Sequence, residues 1–367
     1  MPAKSQQNLG QLLIIGFDGT EVSAGLAALL RRIQPAGVIL FARNIISAEQ
    51  TYRLLKDCQA VVTAPLFRCV DLEGGKVDRL RNVIGPAPSP AEVFATGSRR
   101  LFRKHGRVIG ENCHALGFNV DFAPAIDLAF AASRSVMNSR LVSADPKTTV
   151  AYAREFLAGL GTAHVLGSGK HFPGLGEGNL DSHHDLPVIE KSWKRLWAED
   201  LAPYRSLRRE LPFVMVSHAA YPAVTRVKVP ASLSKKWITD VLRKKIGYRG
   251  LIASDDLEMG GVLSAAPIEE AAVGHIRAGG DLCLICHKEE FVIRAYEELL
   301  RAAERDRSFA RRAADSVARG LSFKKKTKQV SRWAKAPTQE LVQRLSRNLW
   351  EFSEQVRLDT IHYQEHP

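Results

Sequence analysis

The chain has 367 residues, of which 45% are hydrophobic and 25% charged, with a formal net charge of +13. This composition excludes a disordered tail and is enough to bury one large core or two modest ones. The opening "MPAKSQQNLGQLLIIGFDGT" holds only a short apolar run at 12–17, too brief for a secretory h-region and far below the roughly 20 apolar residues of a membrane span. A cytoplasmic protein without membrane insertion is expected, and five scattered cysteines (Cys58, Cys69, Cys113, Cys283 and Cys286) suit a reducing compartment better than a disulfide framework.

In chain order, short apolar runs alternate with segments of helical periodicity. "LLIIGF" (12–17) precedes "SAGLAALLRRI", and "GVILFA" (37–42) precedes "SAEQTYRLLKDCQAV". "LFRCV" (66–70) comes before "SRRLFRKHGRVIGENCHALG", and "FNVDFAPAIDL" (118–128) before "DPKTTVAYAREFLAGLG". "VLGSGKHF" (165–172) is followed by "SWKRLWAEDLAPYRSLRRE", "FVMVSH" (213–218) by "SKKWITDVLRKKIG", "GLIASDD" (250–256) by "APIEEAAVGHIRAGG", and "DLCLIC" (281–286) closes the series. Alternating strand and helix favours parallel pairing, and eight such units predict a (β/α)8 TIM-type barrel, with a doubly wound open sheet as the alternative. Ser47, Asp145 and Ser192 stand at helix starts as caps, and Gly117 and Gly161 at helix ends. "CLICH" (283–287) matches a haem-attachment spacing, but it continues an apolar run and reads as a buried strand.

The barrel is expected to occupy residues 1–320, followed at 321–367 by a basic linker and a final helix bearing Leu341, Leu345, Leu349 and Phe352. Residues 301–335 hold twelve Lys or Arg against three acids, but no aromatic platform interleaves with the charge as nucleic-acid binding would need. That stretch reads as a solvated helix and linker, with no nucleic-acid partner.

The active face of such a barrel is the C-terminal end of its strands. The residues just past the apolar runs are Arg43 and Asn44, Asp71 and Glu73, Asp127, Lys170 and His171, His218, Asp255 and Asp256, and His287. Carboxylates gathered on one rim repel unless cations lie between them, and Lys170 and Arg140 can supply these. The arrangement suits polyhydroxylated substrates and glycoside hydrolysis. "KHFPGLGEGNLDSHHDLP" (170–187) adds histidines and acids among glycines. Its glycines do not open a helix after a strand, so they are no dinucleotide fingerprint, and adjacent His183 and His184 are poorly placed to share a metal with Asp181 and Asp185. No metal or cofactor is expected.

"DLEGGKVDRLR" (71–81), "LGFNVDFAPAIDL" (116–128), "KHFPGLGEGNLDSHHDLP", "MVSHAAYPAV" (215–224) and "PASLSKKWITDVLRKKIGYRGLIASDDLEMGGV" (230–262) resemble the family 3 glycoside hydrolases of the bacterial β-N-acetylhexosaminidase type. The resemblance implies a retaining mechanism that removes terminal β-linked N-acetylglucosamine, commonly from cell-wall fragments such as muropeptides, with a small carbohydrate as partner and a monomeric chain. It also implies Asp255 as nucleophile and His183, held by Asp181, as general acid/base. Asp71, Arg140, Lys170 and His171 would grip the sugar, with Asp127 and His218 as further candidates. A histidine has an unperturbed pKa near ~6.5, so it can protonate a leaving group and then deprotonate water at neutral pH. The chain departs from the family pattern at Leu175, where a second histidine is usual, at Leu141-Val142-Ser143, and at Lys76. A β-glucosidase of the same family and a catalytically weak sugar-binding protein are the competing expectations.

Overall fold

The computed structural model describes residues 8–133, 137–177 and 186–365. Eight parallel strands form its centre: β1 (Leu13–Ile15), β2 (Gly37–Ile39), β3 (Phe67–Val70), β4 (Val120–Asp121), β5 (Ser168–Phe172), β6 (Phe213–Val216), β7 (Leu251–Asp256) and β8 (Leu282–Ile285). Their ladders run in the order β4-β3-β2-β1-β8-β7-β6-β5, and parallel bridges Val120↔Leu166 and Ala125↔Lys170 join β4 to β5 and close the ring. The expected (β/α)8 barrel is therefore the observed fold.

Alternation along each strand makes the closed ring stable. Ile39 faces the lumen with Ile14, Cys69, Phe122, Met215 and Ala253. Val38 and Leu40 face the surrounding helices with Leu13 and Ile15. Outside lie α1 (Ala24–Ile33), α2 (Ala48–Ala60), α3 (Arg99–Ala115), α4 (Pro146–Thr162), α5 (Leu201–Leu207), α6 (Lys236–Lys245, wound as a π-helix), α7 (Ile268–Ala278) and α8 (Glu289–Arg305). The expected caps form: Ser47 Oγ accepts from Gln50 N at 3.2 Å, Asp145 Oδ2 from Thr148 N at 2.7 Å, and Ser192 Oγ from Arg195 N at 3.4 Å. Gly117 follows α3 with φ +96°, whereas α4 runs past Gly161 to Thr162 and the left-handed residue beyond it is His164, φ 63°. "CLICH" contributes β8, and all five cysteines are buried and free. Among the described residues no helix is long and apolar enough to cross a membrane.

The chain continues as α9 (Arg307–Lys326) and α10 (Gln339–Glu365). α10 lies on the outside of the barrel, with Leu345, Leu349, Phe352 and Val356 buried and the Phe352 ring stacked 5.8 Å from His105 of α3. Part of the basic stretch is internal, which corrects the expectation of a solvated linker. Lys324 is 5% exposed at the N-terminal end of the strands, where it donates to Gln11 Oε1 (2.9 Å) and Ala36 O (2.8 Å) beside the Phe67 ring. Burial pushes its amine down to about 7. Arg312 and Arg319 pair with buried Asp281. Arg68, buried on β3, donates to Gly117 O, Val330 O and Arg332 O and lies 3.7 Å from the Trp333 ring centroid.

Arg68 thus ties the barrel to the chain beyond α9. Arg68→Met leaves the Gly117 and Arg332 carbonyls without their donor, while Val330 O keeps Asn119 Nδ2, at about 1–3 kcal/mol for each that stays dry. The expected outcome is a lower urea midpoint and faster proteolytic cleavage between Val330 and Pro337. Unchanged cleavage would show that this tie does not hold the segment.

Candidate active site

The residues expected at the strand ends converge on the C-terminal rim. Past β3 the chain makes a tight ribbon, Leu72–Gly74 against Val77–Asp78. Its turn needs Gly74 (φ +90°) and Gly75 (φ +62°), and a Cβ on Gly74 would stand 2.1 Å from Pro88 O. Asp78 holds the ribbon by accepting from Leu80 N (3.0 Å) and Ala87 N (2.9 Å). The ribbon carries Glu73 into the mouth of the barrel with its side chain fully buried.

Glu73 is the hub of an ion network. Arg140, from the short helical turn Asn138–Arg140 after β4, grips it with two bonds of 2.8 and 2.7 Å. Lys170 of β5 reaches Glu73 Oε1 at 2.6 Å and Asp71 Oδ1 at 2.8 Å. Burial alone would push the Glu73 carboxyl up, but Arg140 and then Lys170 hold it well below the usual carboxylate range. For the two cations burial acts downward, and the carboxylates outweigh it, raising Arg140 chiefly through Glu73 and Lys170 through Asp71 and Glu73. Asp71 remains partly exposed, with 17% of its side chain open, so it is the member of this network that can accept from a substrate hydroxyl.

His171 is held differently. Its Nδ1 donates to Asp127 Oδ2 at 2.7 Å and its backbone N–H donates to the same oxygen at 3.0 Å, while Asp127 Oδ1 accepts from Leu175 N at 2.7 Å. With the proton on Nδ1, Nε2 is an acceptor, and Arg140 Nη2 donates to it at 3.4 Å. Asp127 is fully buried with both oxygens engaged, so it orients His171 and does not touch substrate itself.

Asp255 stands half-buried at the end of β7. Burial pushes its carboxyl up, but His171 and then His218 push it further down, leaving it ionised below the ordinary Asp range. Its Oδ1 accepts from Asp256 N at 2.9 Å. His218 is buried and braces the same peptide: Nε2 donates to Asp256 O at 2.8 Å and Nδ1 faces Ser232 Oγ at 2.7 Å. Burial lowers the His218 imidazole, Asp255 only partly opposing it, and both ring nitrogens are bonded, so this ring is a strut. Like Asp127, it works through a neighbour.

Asp181 and His183, with His184 and Asp185, lie outside the described residues. Both flanks of that stretch are fixed. Glu177 pairs with Arg195 at 2.6 Å and Lys191 at 3.5 Å, and Lys191 is itself buried against Asp200 (2.6 Å) and the Phe130 ring. On the other side, Pro187 O accepts from Ala220 N at 2.8 Å. Leu175 packs against the apolar cluster that contains Phe172. Among the described residues, no group of three or more His, Cys, Asp or Glu side chains could hold a metal ion. Sequence reasoning noted Glu73 at a strand end without giving it a role; its place two residues after Asp71, in front of paired glycines, was the available signal.

Cations interleaved with carboxylates at the C-terminal mouth of a (β/α)8 barrel define a protein built to bind a polyhydroxylated ligand beside an ionised carboxylate. Residues 5–322 match the profile of the glycosyl hydrolase family 3 N terminal domain, and the chain belongs to that family. It is 33% identical over 296 residues to a beta-hexosaminidase of Idiomarina loihiensis, covering 80% of this chain and 88% of that one. It is 36% identical over 287 residues to a beta-hexosaminidase of Alkalilimnicola ehrlichii, covering 76% and 82%. Among solved structures it resembles a family 3 beta-N-acetylglucosaminidase from Paenibacillus sp. str. FPU-7, with a TM-score of 0.86 and 31% identity over 96% of this chain and 69% of that one.

The network sets an expectation for stability. Glu73 titrates lower in the folded chain than unfolded, so its contribution is complete above the ordinary Glu range and is lost as pH falls through its own depressed value. Glu73→Gln should cost about 3–5 kcal/mol near neutral pH, because Arg140 and Lys170 lose their shared charge partner. Urea denaturation should show the gap to the parent narrowing in acid. A gap of constant size at every pH would show that the charge is not its source.

Proposed function

We propose that the protein is a retaining exo-β-N-acetylglucosaminidase that removes terminal β-linked N-acetylglucosamine, with peptidoglycan fragments as its source of substrate and the cytoplasm as its place of action. The observation that carries this reading is Asp255: an ionised carboxylate, half-buried, on the same rim as the Asp71–Lys170–Glu73–Arg140 grip. The similarity to beta-hexosaminidases supports the N-acetylated sugar over glucose.

Asp255 attacks the anomeric carbon while the glycosidic oxygen takes a proton, giving a glycosyl ester and the free leaving group. Water then attacks the same carbon, gives up a proton, and releases the sugar with its original configuration. Asp71 accepts from a sugar hydroxyl, and Arg140, Lys170 and the Nε2 edge of His171 fix the ring. His183, with Asp181 beside it, is the proposed carrier of the proton in both steps. That role rests on the family resemblance of "DSHH" (181–184).

Release of nitrophenol from its β-N-acetylglucosaminide should fall at least about a thousandfold in Asp255→Ala, as expected for loss of a nucleophile. A retained rate would remove Asp255 from that role, and faster turnover of the matching glucoside by the parent protein would replace the assigned substrate. Because Asp255 stays ionised below its ordinary range, the parent kcat/KM should show no loss from the nucleophile until the pH is under about 4. His183→Ala should slow glycosides with poor leaving groups far more than activated aryl glycosides, since only the former need a proton. Equal losses on both would assign the proton elsewhere.

A further inference from the structure

The side chains placed around the sugar all come from one arc of the barrel. Asp71 follows β3, Arg140 follows β4, Lys170 and His171 lie on β5 and Asp255 ends β7, braced by His218 after β6, and these strands are contiguous in the ring. The remaining arc, β8-β1-β2, has no part in that grip, yet it is not bare.

Phe41 stands two residues after lumen-facing Ile39 and packs against the same inner cluster, half-buried at the mouth. The His287 ring, just past β8, lies 5.2 Å from the Phe41 ring at 33°. The guanidinium of Arg43 sits 4.8 Å from the Phe41 centroid, and that of Arg79, reaching over from the end of the ribbon past β3, sits 5.5 Å from it. Asn44 makes the arc rigid by donating to Phe17 O (2.9 Å) and Gly19 O (2.8 Å) while accepting from Phe41 N (3.0 Å). The cluster also adjoins the carboxylate at the end of β7. His287 Nε2 is 3.3 Å from Asp256 Oδ2, and the Asp256 N–H is the group bonded to Asp255.

Its chemistry is that of flat π surfaces edged with hydrogen-bond donors. Arg79 Nε is buried and has no hydrogen-bond partner in the structure. Arg43 uses Nε on Asp18 and Nη2 on Cys286 O, and Glu258 is occupied by the backbone N–H groups of His287 and Lys288. A ligand with an apolar ring face and oxygen acceptors around its edge satisfies both demands.

Resting on the glycosidase reading above, we infer that the β8-β1-β2 arc seats the leaving group, a second saccharide ring, and that Phe41 and His287 determine the preference for it. The sugar cut away occupies the Asp71–Asp255 arc, and its neighbour lies across Phe41 with hydroxyl oxygens toward Arg79 and His287.

The test compares kcat/KM for a β-linked N-acetylglucosamine disaccharide with that for methyl β-N-acetylglucosaminide, alongside inhibition by free N-acetylglucosamine, in the parent, Phe41→Ala and His287→Asn. His287 is half-exposed, so its variant keeps the fold even where Phe41→Ala does not. The disaccharide preference should fall about tenfold in each variant while inhibition by the free sugar is unchanged. An unchanged preference would show that the arc is idle, and weaker inhibition with equal loss on both substrates would place the cluster in the first sugar's pocket; either result overturns the inference. A parent protein that cleaves glucosides instead would overturn only the function proposed above, and the same ratio measured between a glucose disaccharide and methyl glucoside would still decide the arc.

Discussion

Two carboxylates and two cations share one nearly dry volume at the centre of the rim, and the rest of the site is arranged around that fact. Taking Glu73, Arg140 and Lys170 out of water is costly for each alone, and it is tolerated because each finds an opposite charge within 2.8 Å. The consequence is positional. Glu73 comes from the ribbon after β3, Arg140 from the turn after β4 and Lys170 from β5, so the network clamps three separate segments into one surface. The partly open Asp71 carboxylate is its exposed end, and the ordered face it presents needs little rearrangement when a ligand arrives.

A second layer of buried partners serves the reacting groups without meeting the ligand. Asp127 holds His171 by both backbone and ring, and its other oxygen holds the backbone of Leu175. His218 does the equivalent for the peptide between Asp255 and Asp256. Such groups resemble site residues in sequence because they are polar and stand at strand ends. Only burial and bonding separate a residue that touches substrate from one that aims its neighbour.

How much of this the sequence reveals follows from the range of each interaction. The eight apolar runs, their alternation with helices and the three caps are local signals, and they were legible. Asp71, Lys170, His171 and Asp255 were legible as strand ends because the barrel brings every strand end to one face. Glu73 was not assigned a role, since its partners stand 67 and 97 positions further along the chain and nothing local marks them. Arg68 sits inside the apolar run "LFRCV" and looks like an interruption, but its guanidinium closes on carbonyls of residues 330 and 332. In "FKKKTK" the four lysines are alike on paper, whereas in the folded chain only Lys324 points inward and Lys325, Lys326 and Lys328 face solvent. The helix phase that decides this is set by docking on the barrel, which no window of sequence contains.

The inward lysine bears on where the working unit ends. The profile of the family stops at residue 322, yet the amine that caps Gln11 and the Ala36 carbonyl belongs to residue 324, and the Phe323 ring meets Phe67 and Phe213 under the lumen. A barrel trimmed to the recognised family segment would be a vessel without its stopper, open to water from below. The smallest piece that keeps its base sealed extends through α9 and as far as the carbonyls that Arg68 holds.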